Sequence, residues 1–115
     1  ARSRSAAQVE TLVVNAADRV NRAPKACDYY NYARAAVVSR GWAESSVTKF
    51  EQAYYEPSLS GPAQIDLAQA GHWVFGSSAC RLDEPSDLEV QLVRIQISSP
   101  DGKVSRTIEV VKSDV

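Results

Sequence analysis

Leu88-Glu89-Val90-Gln91-Leu92-Val93-Arg94-Ile95-Gln96-Ile97-Ser98 and Val104-Ser105-Arg106-Thr107-Ile108-Glu109-Val110-Val111-Lys112 flank Ser99-Pro100-Asp101-Gly102-Lys103 near the end of the chain. Val, Ile and Thr are prominent in both runs and suit a pleated, half-buried surface. Pro100 presets φ, Asp101 can bond its own backbone and Gly102 supplies a positive φ, so the intervening residues read as a β-hairpin connection. In the first run Leu88, Val90 and Leu92 share one face, whereas Val93, Ile95 and Ile97 share the other. Side chains alternate strictly along a strand. The change of phase at Leu92-Val93 therefore predicts a bulge or a strand that begins near Gln91, with regular pairing from Val93 onward. In the second run Val104, Ile108 and Val110 face one way and Ser105, Thr107 and Glu109 the other. A lone hairpin is barely stable, so its apolar face requires a cover from the preceding chain.

The length of 115 residues bounds that chain to one domain with a modest core. A net charge of −1 argues against retention on nucleic acid by bulk electrostatics. The charge is uneven, however: residues 1–50 carry eight Lys/Arg against four Asp/Glu, and residues 51–115 carry five against ten. No stretch approaches about 18 consecutive apolar residues, so none spans a membrane as a helix, and no signal peptide is visible. The absence of methionine is what a processed or trimmed product shows.

Upstream, Val9, Leu12, Val13, Ala16 and Val20 fall at helical spacing, with polar residues elsewhere. This predicts an amphipathic helix over 5–21, stopped by Pro24, with Asp18 and Arg22 placed to pair at i, i+4. Its start lacks a capping signal, as the remainder of a longer helix would. A second helix is expected over 29–40, with Asp28 as its N-cap and Gly41 as its C′ residue. Residues 42–56 read as a strand, although Val47, Phe50 and Tyr54 also fit one side of a short helix. Residues 57–62 form a loop by composition, 63–70 are ambiguous between helical turn and loop, and 71–76 read as a short strand between glycines. Helix, helix, then three or four strands implies an α+β fold with an antiparallel sheet, the hairpin occupying 91–112.

Motifs that carry chemistry are scarce. No G-x-S-x-G, H-E-x-x-H, P-loop or dinucleotide fingerprint occurs, so the chain reads as non-enzymatic, with no catalytic, cofactor or metal residues assigned. His72 is expected to be an ordinary, partly buried histidine. Asp83, Glu84 and Asp87, with Asp66, have the oxygen chemistry for Ca²⁺, but Pro85 interrupts them and a solvated acidic loop is the favoured reading. Trp42, Trp73, Tyr54 and Tyr55 have the makings of a sugar- or partner-binding patch, with core and sheet-face packing favoured over it. Cys27 and Cys80 fit no short metal-ligand spacing. A disulfide or two reduced core thiols remain, the disulfide being favoured because small exported domains often depend on one.

Taken in order, the helix over 6–22, the Pro24/Cys27 break, the Ala- and Tyr-rich helix ending at Gly41-Trp42, the Tyr54-Tyr55 pair and the terminal run 92–112 resemble a type IV pilin-like protein. The similarity is nearest to the minor pilins and pseudopilins of actinobacteria, of the prepilin-type class. The resemblance implies a single domain over 1–115: a truncated N-terminal helix (1–23) and a head (24–115) on whose sheet it packs. It also implies a structural subunit of an extracellular type IV pilus-like filament or secretion pseudopilus. Such a subunit is anchored in the membrane by an apolar N-terminal helix segment of the full-length precursor, cut by a prepilin peptidase, and later partnered by other subunits. Exposure at the cell surface strengthens the expectation that Cys27 and Cys80 are bonded. Glu10, Arg19 and Arg22, on the polar side of the helix, become candidates for contacts between subunits. No cofactor and no nucleic acid are expected. The alternative is a secreted small-molecule-binding domain, a cone-shaped α+β pocket lined by His72 and the Trp/Tyr set.

Overall fold

The structure, a computed structural model, describes residues 2–56, 72–82 and 90–113. Helix α1 (Arg2–Arg22) and helix α2 (Tyr30–Val38) come first. A single 3-10 turn (Glu44–Ser46) then leads into strands β1 (Val47–Glu56), β2 (His72–Gly76), β3 (Gln91–Ser98) and β4 (Ser105–Lys112). The strands form one antiparallel sheet in the order β2-β1-β3-β4, and both helices lie on one of its faces. This is the expected α+β arrangement. The expectations over 57–71 and 83–89, including the acidic loop with Asp66, lie outside the described residues.

The stripe Val9, Leu12, Val13, Ala16 and Val20 is wholly inside, at most 3% exposed, and meets Val93, Ile95, Ile97 and Val110 from the hairpin. Tyr29, Ala33, Ala36 and Val37 of the second helical segment close the same core. Burial of this apolar area is the main favourable term of the fold, at roughly 25 cal/mol per Å² removed from water.

β3 begins at Gln91 and pairs with β4 without interruption from Gln91↔Lys112 to Ser98↔Ser105. The change of phase seen in the sequence is thus a strand boundary, and regular pairing starts two residues before Val93. At the connection, Gly102 takes φ +75° and donates its N–H to the Ser99 carbonyl at 2.8 Å. Asp101 accepts from the Ser99 hydroxyl and from the Lys103 N–H, and these two bonds, the hydroxyl first, hold its carboxyl below the usual range.

β1 contains an irregularity that its sequence does not announce. The register with β3 shifts between Val47 and Lys49, leaving Thr48 as an extra residue. Val47 therefore lies on the inner face with Phe50, Gln52 and Tyr54, whereas strict alternation would place it with Lys49 and Glu51. Both Val47 and Phe50 pack on the core.

α2 starts at Tyr30, one residue later than expected, so Tyr29 rather than Asp28 is its N-cap; the Asp28 carboxylate, one position earlier, accepts the Tyr30 N–H at 2.9 Å. Its last turn closes when Trp42 donates to the Val37 carbonyl (3.0 Å) and Gly41 to the Val38 carbonyl (3.0 Å), with Gly41 at φ +82°. That is the Schellman pattern expected of a glycine at C′. Arg40 is exposed at the end of this turn. The turn that follows is stapled to α2 by Glu44, which accepts from the Tyr30 hydroxyl (2.8 Å) and the Arg34 guanidinium (2.5 Å). These bonds, the tyrosine first, hold the Glu44 carboxyl below its ordinary range. A carboxylate with a depressed folded pKa contributes fully above its unfolded pKa and loses that contribution as pH falls through the folded value. Glu44→Gln should thus flatten part of the decline in thermal midpoint as pH falls below about 5, measured by circular dichroism.

Candidate functional site

Three places concentrate polar chemistry: a buried joint beneath the disulfide, the outward face of α1, and the outer face of the sheet.

Strand parity sends Gln52 of β1 and Gln91 of β3 toward the helices, where a polar side chain requires partners. Gln91 is fully buried: its Oε1 accepts from the Tyr29 hydroxyl (2.5 Å), and its Nε2 donates to the carbonyls of Ala26 and Ala79 (2.8 Å each). Gln52 accepts from the Tyr29 N–H (3.1 Å) and donates to the Ser77 carbonyl (2.9 Å). Tyr29 Oη in turn accepts from the Ala26 N–H (2.8 Å). Among the described residues no buried side-chain polar atom lacks a partner. The two glutamines thereby fix the segment between the helices and the segment after β2 onto the central strands. Cys27 and Cys80 join those same segments, with Cα atoms 5.0 Å apart, and the Ala79 N–H donates to the Cys27 carbonyl at 2.7 Å. The disulfide is therefore formed, the first of the two alternatives open for these cysteines.

Beside this joint, Lys112 enters from the end of β4, on the inner face because it pairs with Gln91. Its ammonium donates to the carbonyls of Val20 (2.8 Å), Asn21 (3.1 Å) and Ala23 (2.8 Å) and lies 5.3 Å from the centre of the Tyr29 ring. The last carbonyls of a helix have no partner within it and carry the negative end of its dipole. A lysine 91 positions along the chain from Asn21 supplies that partner.

The outward face of α1 is formed by two i, i+4 rows, Glu10-Val14-Asp18-Arg22 and Thr11-Asn15-Arg19. The expected Asp18–Arg22 pair is present at 3.1 Å. All three contact candidates are exposed, and each has a partner in its own chain. Glu10 lies 3.8 Å from Arg106 of β4, Arg19 donates to Asn15 (2.8 Å), and Arg22 pairs with Asp18. Exposed ion pairs of this kind contribute little to stability, so a neighbouring surface can compete for them. Val14, 50% exposed, lies among them. A single apolar residue off the stripe carries no periodic signal, so the sequence alone does not single it out.

The outer face of the sheet carries Arg94, which reaches Glu109 at 2.7 Å and Glu51 at 3.3 Å and lies 5.2 Å over the Phe75 ring. Tyr55 and Trp73 meet edge to face on this side, centroids 5.4 Å apart. Trp42 packs on the core at the helical side, and Tyr54 shares the inner face, so the aromatic set is divided between the two faces. His72 is exposed at the end of the edge strand β2, opposite Glu56, rather than partly buried. His72 and the aromatic set do not come together in one pocket. Among the described residues, no three of His, Cys, Asp or Glu gather as a metal ion requires, and no helix is long and apolar enough to cross a membrane.

The sequence matches no protein-family model and has no significant match among curated proteins or solved structures.

Proposed function

We propose that this protein is a structural subunit, a minor pilin or pseudopilin, of an extracellular pilus-like filament or secretion pseudopilus. The observation that supports this reading most is the division of α1. One stripe is committed to the sheet, and two full rows, with Val14 among charged residues, remain outward along the helix. A long helix joined to a braced head by its buried side has its other side available to neighbours. The disulfide and the doubly anchored joint supply a rigid head suited to mechanical duty, and the disulfide favours an oxidising, extracytoplasmic location. Partners are then other subunits, and attachment to the membrane falls to a segment of the precursor upstream of Ala1.

That upstream sequence tests the reading directly. About 20 apolar residues running into α1 agree with it; a cleavable secretory signal contradicts it. A second test uses the assembled state. Arg19→Glu with Arg22→Glu, made in the full-length protein in its own cells, should lower its recovery in the sheared filament fraction without altering the thermal midpoint of the purified head. Unchanged recovery would remove both residues from the contact.

A further inference from the structure

A groove of about 330 Å³ runs between α1 and the end of α2, lined by Ala7, Gln8, Thr11, Leu12, Arg40 and Trp42. It lies on the flank of α1 beside α2. Leu12 is buried and Trp42 half-buried at its floor, while Gln8, Thr11 and Arg40 are exposed at its rim. Arg40 differs from the other arginines whose side chains are described. Arg19 bonds Asn15, Arg22 pairs with Asp18, Arg34 with Glu44, Arg94 with Glu51 and Glu109, and Arg106 with Glu10. Arg81 also has a partner. Of the arginines whose side chains are described, Arg40 alone has a guanidinium without a hydrogen bond or ion pair, and it is the one beside a groove lined by an indole. Its backbone is held in place by the bond from its N–H to the Val37 carbonyl (3.1 Å), and Trp42 by its own bond to the same carbonyl.

We propose that this groove binds a saccharide carrying a carboxylate, of the uronic-acid type. The chemistry divides among its parts. A guanidinium takes a carboxylate with two parallel N–H···O bonds. An indole presents an apolar plate to the C–H face of a sugar ring while remaining tolerant of water at its edge. Gln8 and Thr11, one helical turn apart, supply an amide and a hydroxyl that both donate to and accept from ring hydroxyls. The volume falls at the lower end of the range for small-ligand sites, which suits one sugar unit of a chain lying across an open groove.

The test is a titration of the folded, disulfide-bonded chain with glucuronate, glucose and acetate, followed by ¹H–¹⁵N correlation spectra. Glucuronate should give saturable shifts at the Gln8 and Thr11 amides and the Trp42 indole N–H, and glucose and acetate should not. Arg40→Gln, an exposed change, should weaken glucuronate at least about tenfold while leaving the rest of the spectrum in place; Arg40→Lys should fall between. Absence of a saturable glucuronate response would overturn the proposal. So would equal affinity for glucose or for acetate, or a response unaffected by Arg40→Gln.

Discussion

Replacing Cys27 and Cys80 together by alanine should lower the unfolding free energy by about 4 kcal/mol, the chain-entropy value for a loop of this length. The separation of 53 positions sets the size of that effect, because the bond removes closure entropy from the unfolded chain. Its location adds to the consequence. The bonded segments are those that Gln91 and Gln52 hold against the central strands, through Ala26, Ala79, Tyr29 and Ser77. Loosening them exposes buried carbonyls as well as apolar surface. A small domain has roughly 5–15 kcal/mol in total, so a large part of its stability rests on this bond. Urea unfolding of the oxidised protein and of the double variant gives the difference directly. Coincident midpoints would show that the glutamine joint holds without the covalent link.

The second large effect is expected at Lys112. Lys112→Met keeps the length and apolar volume of the side chain but removes its charged donors from the carbonyls of Val20, Asn21 and Ala23. Those carbonyls lie at and just beyond the end of α1; that of Val20 also accepts the Ala23 N–H (3.2 Å), and removing the ammonium's three bonds should cost about 3 kcal/mol. Lys49→Met, on the exposed outer face, should stay within about 0.5 kcal/mol. A loss at Lys112 no larger than that of Lys49 would mean that water satisfies the helix end. The same pair of variants separates capping from net charge, since both remove one positive charge.

The elements that sequence made legible are those with a period. The five apolar positions of α1 lie where their 3.6-residue spacing puts them, and Gly41 and Gly102 take the positive φ their contexts predict. Strict alternation left a bulge or a boundary near Gln91 as alternatives, and the boundary is the one found. What remained hidden depends on pairings between distant segments. Gln52, Gln91 and Lys112 are polar residues in strands, and locally each looks like a residue for the solvent side. Their burial follows from partners at the end of α1, between the helices and after β2, which no spacing within a strand reveals. The bulge at Thr48 is silent for a related reason: it shifts the face of Val47 without changing residue types. Of the candidate surface, the polar rows of α1 were legible. Val14 within them and the unpaired Arg40 beside Trp42 required the fold, because exposure and partner count belong to three dimensions.

The proposed contact between neighbouring subunits through the outward face of α1 can be read out by crosslinking. The most direct measurement places a photo-reactive benzoylphenylalanine at position 14 of the full-length protein, with position 107 on the outer sheet face as the comparison. After illumination of sheared filaments, adducts are identified by mass. An adduct with a filament subunit is expected from position 14 and none from position 107. An adduct from position 107 with none from position 14 would contradict it.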